Sequence, residues 1–305
     1  MSGSIDRVAV IGSGVMGAGI AAHCANAGCE VLLLDIVPKD AKDRSVLARE
    51  AIQNMHKSNP EMLMHKRNSK RITPGNIEDD LELLKDSDWV VEVIIENLDI
   101  KRSLYSNVSK HIGPNTILSS NTSTLPRSEL VSELPEDIAS RFLITHFFNP
   151  PRYLPLLEVV TAPEVEDTVV ERFCKFADLN LGKRVTMCND RPGFIGNRLG
   201  VYFIQRAFKA TLDHGLTIEQ ADAMLGRPIG LPKTAVFALM DLVGIDLIPH
   251  VTGSLLSHLP GDDPFHDIAG TGEGIVMSMI EDGYTGRKGR GGFYRLNREG
   301  GNKVK

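Results

Sequence analysis

A glycine-rich turn between a short strand and a helix limits, more than any other feature, how this chain can fold. Residues 8–11, VAVI, form a short β-rich run, and GSGVMG follows from Gly12 to Gly17. The next residues have the apolar spacing of a helix through about Ala27, and residues 30–35, EVLLLD, predict a second strand. This order of elements predicts a βαβ unit of a parallel sheet.

The three glycines of the turn meet separate demands of a bound dinucleotide. Gly12 permits the tight turn, Gly14 lets a pyrophosphate approach the backbone, and Gly17 lets the helix pack close to the sheet. Val15 and Met16 begin the helix, whose first N–H groups would face the phosphates. We predict a dinucleotide here; the alternative is a glycine turn without a ligand.

Asp35 ends the second strand, where an acidic residue would accept hydrogen bonds from the adenosine ribose. Its negative charge would repel a 2′-phosphate, so the sequence predicts NAD rather than NADP. Lys39 and Lys42, which are positively charged, argue instead for NADP. FAD uses the same glycine pattern and is the competing cofactor.

Residues 39–71 predict a helical hairpin inserted after the second strand, with two polar helices separated by Ser58, Asn59 and Pro60. A basic hairpin could hold an anionic substrate tail such as a phosphate, whereas the alternative is an ordinary solvated surface. Its basic residues are Lys57, Lys66, Arg67, Lys70 and Arg71.

Strands and helices alternate again after the hairpin. We predict strands at 89–95, at 116–120 and in the segment that ends at His146, with a helix at 98–111. The fold class is therefore α/β, with a doubly wound, mostly parallel sheet. Ligands of such sheets bind beyond the carboxyl ends of the strands. The polar residues expected at that edge are Glu96, Asn121, Ser123, His146 and Asn149.

His146 and Glu158 form a potential acid/base pair. His146 closes one apolar strand, and Glu158 lies inside the apolar run 155–160, where a carboxylate is costly to bury without a partner such as an imidazole N–H. Pro150 and Pro151 predict a sharp turn that could bring the two strands side by side. The alternative is a satisfied core histidine and an unrelated buried glutamate.

The first domain is predicted to end near Asp190. A helix at 165–181 and a strand at 183–188 complete the alternating pattern, and NDRPGFIGNR marks the change to continuous helical spacing. We assign residues 1–190 to a dinucleotide-binding domain of Rossmann type.

An all-helical second domain is predicted at 191–298. Thr217 and Gln220 have the spacing of a capping box at the start of one of its helices. Residues 299–305 resemble a polar linker, which suggests that the chain is a fragment of a longer protein.

Charge and composition argue against several partner classes. The formal net charge is −5 with both signs interspersed, which speaks against a nucleic acid or an anionic membrane as partner. The four cysteines lack metal-ligand spacing, so we expect reduced thiols and no metal site. No signal region and no apolar run of membrane-spanning length is present in the sequence, which predicts a soluble, cytoplasmic protein.

Seven motifs, distributed over nearly the whole chain, share a family resemblance: VAVIGSGVMGAGIA, ENL at Glu96, SNTS, HFFNPP, LLEVV, DRPGFIGNR and GRPIGLP. Together they resemble the 3-hydroxyacyl-CoA dehydrogenases. The resemblance implies reversible, NAD-dependent oxidation of (S)-3-hydroxyacyl-CoA to 3-oxoacyl-CoA in fatty-acid β-oxidation, with an acyl-CoA as substrate.

The resemblance also implies roles for single residues. His146 would remove the proton of the 3-hydroxyl group, and Glu158 would orient the imidazole and balance its charge. Ser123 would hydrogen-bond the substrate oxygen, and Asn197 would complete the polar cluster from the second domain. The alternative for Asn197 is a helix cap.

Around the ribose and nicotinamide end of NAD, the resemblance places Glu96, Lys101, Ser123 and Asn149. The alternative for Lys101 is an exposed helix lysine. The hairpin departs from that of the short, stand-alone members, so no CoA-contacting residue can be assigned.

Partners beyond the substrate follow from the resemblance as well. GRPIGLP with its flanking residues and the carboxyl-terminal segment are similar to long members in which a hydratase-type domain follows the dehydrogenase. The apolar helical domain suggests a homodimer. Two other functions stay open: dehydrogenation of a small hydroxy acid or sugar acid, and a catalytically silent nucleotide-binding homologue.

Overall fold

A computed structural model of the protein describes residues 3–296 and residues 303–304. The chain folds into two compact units, Met1–Phe194 and Ile195–Lys305. The first unit contains the sheet and its flanking helices, and the second is mainly helical.

The first unit is built on an eight-stranded sheet with the order β3-β2-β1-β4-β5-β6-β7-β8. Neighbouring strands are parallel except β6 and β7, which pair antiparallel. The predicted doubly wound, mostly parallel sheet is confirmed. The strands are β1 Arg7–Ile11, β2 Glu30–Asp35, β3 Ile72–Asn76, β4 Trp89–Glu92, β5 Ile117–Ser120, β6 Phe142–Phe147, β7 Leu156–Val160 and β8 Arg184–Cys188.

Apolar cores cover both faces of this sheet. Successive residues of a strand point to opposite faces: Val8 and Val10 belong to one core and Ala9 and Ile11 to the other. The helices of this unit are α1 Val15–Asn26, α2 Val46–Met55, α3 Leu98–Val108, α4 Arg127–Val131, α5 Glu136–Ala139 and α6 Asp167–Leu179.

The predicted helical hairpin at 39–71 is only half present. Helix α2 forms, but the second polar stretch forms only a 3-10 helix, Lys66–Arg71. The Asn26 side chain donates to the Met62 carbonyl at 2.9 Å and accepts from the Met64 N–H at 2.9 Å. These bonds use backbone groups that a second α-helix would need for itself.

Strand boundaries also differ from the sequence prediction. Strand β3 was not predicted, and β4 ends at Glu92 rather than at Ile95. The Glu92 carboxylate accepts a hydrogen bond from the Ile94 N–H at 2.7 Å, which turns the chain out of the strand.

The second unit contains helices α7 Gly196–Asp213, α8 Ile218–Met224, α9 Phe237–Val243, α10 Leu247–His258 and α11 Glu273–Glu281. The capping box of Thr217 and Gln220 is confirmed. One addition to the predicted all-helical domain is a two-residue strand, Arg295–Leu296, antiparallel to Lys303–Val304. The rest of the predicted tail at 299–305 lies outside the described residues.

Among the described residues, no single helix has the length and apolar composition needed to cross a membrane. Helices α9 and α10 pass that test only as a pair bent by 95°.

Candidate active site

The predicted pair of His146 and Glu158 is in contact. The two residues are register partners on β6 and β7, and the imidazole Nδ1 lies 2.7 Å from the Glu158 Oε2 atom. His146 is 6% exposed and Glu158 is fully buried. Because an ionised carboxylate only accepts hydrogen bonds, Nδ1 carries the proton in neutral His146 and Nε2 is left as the acceptor.

Aromatic rings and a side-chain amide hold the end of β6 in place. The rings of Phe148 and Phe194 lie 4.6 and 5.8 Å from the imidazole, centroid to centroid. The Asn121 side-chain oxygen accepts a hydrogen bond from the Phe147 N–H at 2.9 Å. The imidazole is therefore flanked by apolar groups, and its strand is bonded to the residue that follows β5.

The glycine turn has the backbone geometry that its sequence predicts. Gly12 has φ +107°, and a Cβ there would lie 2.5 Å from the Val93 carbonyl oxygen. A Cβ on Gly17 would lie 1.8 Å from the Gly12 oxygen, whereas one on Gly14 would meet nothing within 4 Å. Gly12 and Gly17 are thus needed for packing, and Gly14 leaves the backbone open to a ligand.

Asp35 binds the glycine turn directly. Its Oδ2 atom accepts from the Ser13 N–H at 2.6 Å and from the Ser13 hydroxyl, and its Oδ1 atom accepts from the Ile36 N–H at 2.7 Å. Sequence reasoning missed Ser13, although a hydroxyl inside the turn was the available signal. Lys39 and Lys42, which argued against NAD, are both exposed.

A cavity of about 930 Å³ borders the glycine turn and the ends of the central strands. This volume is at the upper end of the range for cofactor sites. Gly14, with its open backbone, and Asp35 both line it, so these residues fit a dinucleotide. Its lining includes Gly12, Gly14, Val15, Met16, Asp35 and Asn121.

Glu96 organises the loop that follows β5. Its Oε1 atom accepts from the Thr122 hydroxyl at 2.5 Å, the Ser123 N–H at 3.0 Å and the Thr124 N–H at 3.3 Å. Burial alone would raise the pKa of the Glu96 carboxyl, but the Lys101 charge and these hydrogen bonds outweigh burial and lower it. Glu96 is therefore held as an anion beside Ser123.

Lys101 is not the exposed helix lysine that the alternative interpretation described. It is 1% exposed, and its Nζ atom lies 2.6 Å from Glu92 Oε1 and 3.3 Å from Glu96 Oε2. The Glu92 carboxylate also accepts from the Tyr105 hydroxyl and, at 2.7 Å, from the Ser120 hydroxyl. Sequence reasoning missed Glu92, whose signal was a carboxylate inside the apolar run WVVEVII.

Asn149 and Asn197 lie on different units. Asn149 is exposed and follows the end of β6 by two residues. Asn197 is in the first turn of α7, and the cap position of that helix is Ile195, so the cap interpretation of Asn197 is wrong. Asn197 borders a cavity of about 190 Å³ within the second unit, next to Gly200 and Val201. Its role beside the substrate stays a prediction.

The basic residues of the segment 39–71 are exposed. One of them, Arg71, pairs with Glu30 at 2.6 Å. Binding of a substrate phosphate by this segment stays a prediction. In the part of the chain that the structure describes, no three or more His, Cys, Asp or Glu side chains are grouped so as to hold a metal ion.

Comparison with known families gives matches over almost the whole chain. The model of the NAD binding domain of 3-hydroxyacyl-CoA dehydrogenase matches residues 7–191, and that of the C-terminal domain matches residues 193–296.

Two curated relatives show how much of a longer protein the chain represents. The probable 3-hydroxyacyl-CoA dehydrogenase of Deinococcus radiodurans is 43% identical over 97% of this chain and 84% of the relative. The putative fatty acid oxidation complex trifunctional enzyme of Rickettsia felis is 44% identical over 100% of this chain but only 42% of the relative. The chain thus spans less than half the length of that enzyme.

A solved structure agrees in fold. The (S)-3-hydroxybutyryl-CoA dehydrogenase of Ralstonia eutropha superposes with a TM-score of 0.78 at 27% identity, over 96% of this chain and 99% of that one.

Proposed function

The chain belongs to the 3-hydroxyacyl-CoA dehydrogenase family of NAD-dependent oxidoreductases, and from that premise we propose how its residues oxidise an (S)-3-hydroxyacyl-CoA to the 3-oxoacyl-CoA in fatty-acid β-oxidation. The observation that supports this most is the buried hydrogen bond between His146 and Glu158. It leaves one imidazole nitrogen, Nε2, able to take the proton of a 3-hydroxyl group.

Glu158 serves the proton transfer in both directions. Once Nε2 has taken a proton, the imidazolium lies against a buried carboxylate, which supplies its countercharge. In the reverse reaction the same imidazolium returns its proton to the 3-oxo oxygen. Ser123 would hydrogen-bond that oxygen and hold it near Nε2, and the role of Asn197 beside the substrate stays a prediction.

The cofactor is NAD, which accepts a hydride when bound. The glycine turn from Gly12 to Gly17 would hold its pyrophosphate, and Asp35 would hold its adenosine ribose. Glu96 and Asn149 would lie at the nicotinamide end, and the buried Lys101 would act there through its ion pair with Glu96. Asn121 supports this arrangement, since it borders the cavity and its side-chain oxygen accepts from the N–H of Phe147, the residue after His146.

The test is turnover of (S)-3-hydroxybutyryl-CoA with NAD, followed by NADH absorbance. We expect turnover of the S thioester, much slower turnover of the R isomer and of free 3-hydroxybutyrate, and poor use of NADP. Equal turnover of the free acid would favour a hydroxy-acid dehydrogenase. Binding of NADH without turnover of either substrate would favour a silent homologue.

The proposal extends to the parent protein and its assembly. A hydratase-type domain in a longer parent is supported by the trifunctional relative, of which this chain spans 42%. A homodimer through the second domain, residues 191–298, is supported by exposed apolar side chains such as Leu199, Leu242 and Leu247. A cytoplasmic location is supported by the four cysteines, none of which forms a disulfide within the described residues. Light scattering of the purified protein tests the dimer.

A further inference from the structure

A buried charge network links the interior of the sheet to the loop that carries Ser123. Glu92, the last residue of β4, is fully buried, and its carboxylate holds the Lys101 ammonium at 2.6 Å. The same ammonium reaches the Glu96 carboxylate at 3.3 Å. One buried cation thus bridges an inner and an outer carboxylate.

The outer carboxylate holds the loop through its backbone. The N–H groups of Ser123 and Thr124 and the hydroxyl of Thr122 all donate to one oxygen of Glu96. A displacement of that oxygen therefore displaces Ser123. The inner carboxylate is fixed on its other side by the hydroxyls of Tyr105 and Ser120.

We propose that Glu92 is a positioning residue of the active site, which fixes Glu96 through Lys101 and thereby the loop that presents Ser123 to the substrate. The proposal rests on the function assigned to Ser123 above. A buried ammonium keeps its place only where countercharges replace its lost hydration. Without the Glu92 charge, Lys101 has Glu96 as its remaining anionic partner in this network and is drawn toward it, which moves the outer carboxylate and the loop.

The test is Glu92→Gln in the full chain, which keeps the side-chain size and removes the charge. Turnover should fall by about 10–100-fold, because small displacements of a substrate-positioning group cost about that much. The Kd for NADH should change by less than about threefold, because the glycine turn and Asp35 hold the other half of the cofactor. In the cofactor-free protein, amide hydrogen exchange should accelerate in residues 121–125 and not elsewhere.

Asp88→Asn is the matched control, because it also removes a carboxylate charge that pairs with a cation, Arg172 at 2.8 Å, but beside the opposite end of β4 and outside this network. Its turnover and its exchange at 121–125 should match those of the wild type. An equal loss of turnover in this control, or faster exchange across the whole sheet in Glu92→Gln, would assign Glu92 to stability alone and overturn the proposal. Wild-type turnover in Glu92→Gln would overturn it as well.

A second variant covers a failure of Glu92→Gln to fold. Glu92→Asp keeps the charge but withdraws the carboxylate by one methylene. We therefore expect faster amide exchange at residues 121–125, as in Glu92→Gln, and a smaller loss of turnover than in Glu92→Gln. Unchanged exchange at 121–125 in that variant contradicts the positioning role. If the wild type turns over none of the 3-hydroxyacyl-CoA substrates, the proposed function is contradicted. The hydrogen-exchange measurement would still decide whether Glu92 positions the loop.

Discussion

Proton transfer depends on one imidazole whose two nitrogens have different tasks. In His146, Nδ1 is bound to Glu158, so Nε2 alone can take the substrate proton. We predict that His146→Gln lowers turnover by about 10²–10⁴-fold. The Kd for NADH should stay within about threefold, because the glycine turn does not change. Stopped-flow turnover and fluorescence titration with NADH measure the two effects.

His111→Gln is the control for that substitution. His111 also pairs with a glutamate, Glu82 at 3.0 Å, but its partner is exposed and it lies outside the site. Turnover of this variant should equal that of the wild type. A His146→Gln enzyme as active as the His111→Gln enzyme would remove His146 from the mechanism.

Asp35 has two tasks, and its replacement should show both. Its charge opposes a 2′-phosphate, and its Oδ2 atom binds Ser13 in the glycine turn. We predict that Asp35→Ser raises the NADP-to-NAD ratio of kcat/KM by at least about tenfold, while kcat/KM with NAD also falls. Steady-state kinetics with both cofactors measure the ratio, and Lys42→Ser serves as the surface control. An unchanged ratio would show that Asp35 does not select the cofactor.

Single residues were predictable where their chemistry showed in the local sequence. A carboxylate in the apolar run 155–160 had to find a partner, and His146 was the available one. The burial of Lys101 was not predictable in the same way. It depends on how α3 packs against β4, and the spacing of a helix alone does not tell which face meets a charged strand residue.

The glycine turn allows a test that separates packing from binding. Gly14 has φ −61°, which any residue adopts, and a Cβ there meets open space. We predict that Gly14→Ala unfolds at the wild-type temperature but binds NADH at least about tenfold more weakly, because its methyl group occupies the path of the pyrophosphate. Thermal unfolding and NADH titration measure the two properties.

Gly17→Ala is the contrasting variant, because its methyl group would lie 1.8 Å from a backbone oxygen. It should lose about 1–3 kcal/mol of unfolding free energy. A Gly14→Ala variant that is as unstable as Gly17→Ala would contradict the assignment of Gly14 to the ligand.

Elements with clear local boundary signals were predicted well, and segments held by side chains from elsewhere in the chain were not. The glycine turn before α1 and the short apolar run of β2 that ends in Asp35 gave boundaries within a residue or two of those found. In the segment 56–71 the polar composition predicted a helix, but Asn26, thirty residues and more upstream, binds its backbone. The local sequence pattern of residues 56–71 cannot show that a side chain so distant in the sequence binds their backbone groups.

The stability of the whole chain should fall in mild acid because of one buried imidazole. Burial, with a further effect of the Lys183 charge, lowers the pKa of His23 from 6.5 to about 4. Between these values the unfolded chain binds a proton and the folded chain does not. Neutral His23 therefore makes its full contribution to the free energy of unfolding above pH 6.5. This contribution, up to about 3 kcal/mol, is lost as the pH falls from 6.5 to 4.

Urea unfolding at a series of pH values measures this loss, with fluorescence of the single tryptophan, Trp89, as the signal. His23→Gln is the control, because glutamine can donate to the Leu181 carbonyl that lies 3.0 Å from the imidazole but does not titrate. The stability difference between the two proteins should change between pH 7 and pH 4. A constant difference would show that His23 is not the group responsible.

Strands β6 and β7 meet antiparallel, and this places the proton-transfer pair within one hairpin. Backbone hydrogen bonds set the register of β6 with β7. The connection at residues 148–155 can therefore differ in length between relatives while His146 and Glu158 stay paired. A slip by one residue in β6 or in β7 would instead send His146 or Glu158, respectively, to the opposite face. Residues 150–155 of this connection can therefore vary without replacing Phe148, which flanks the imidazole, or Asn149, which is assigned to the cofactor.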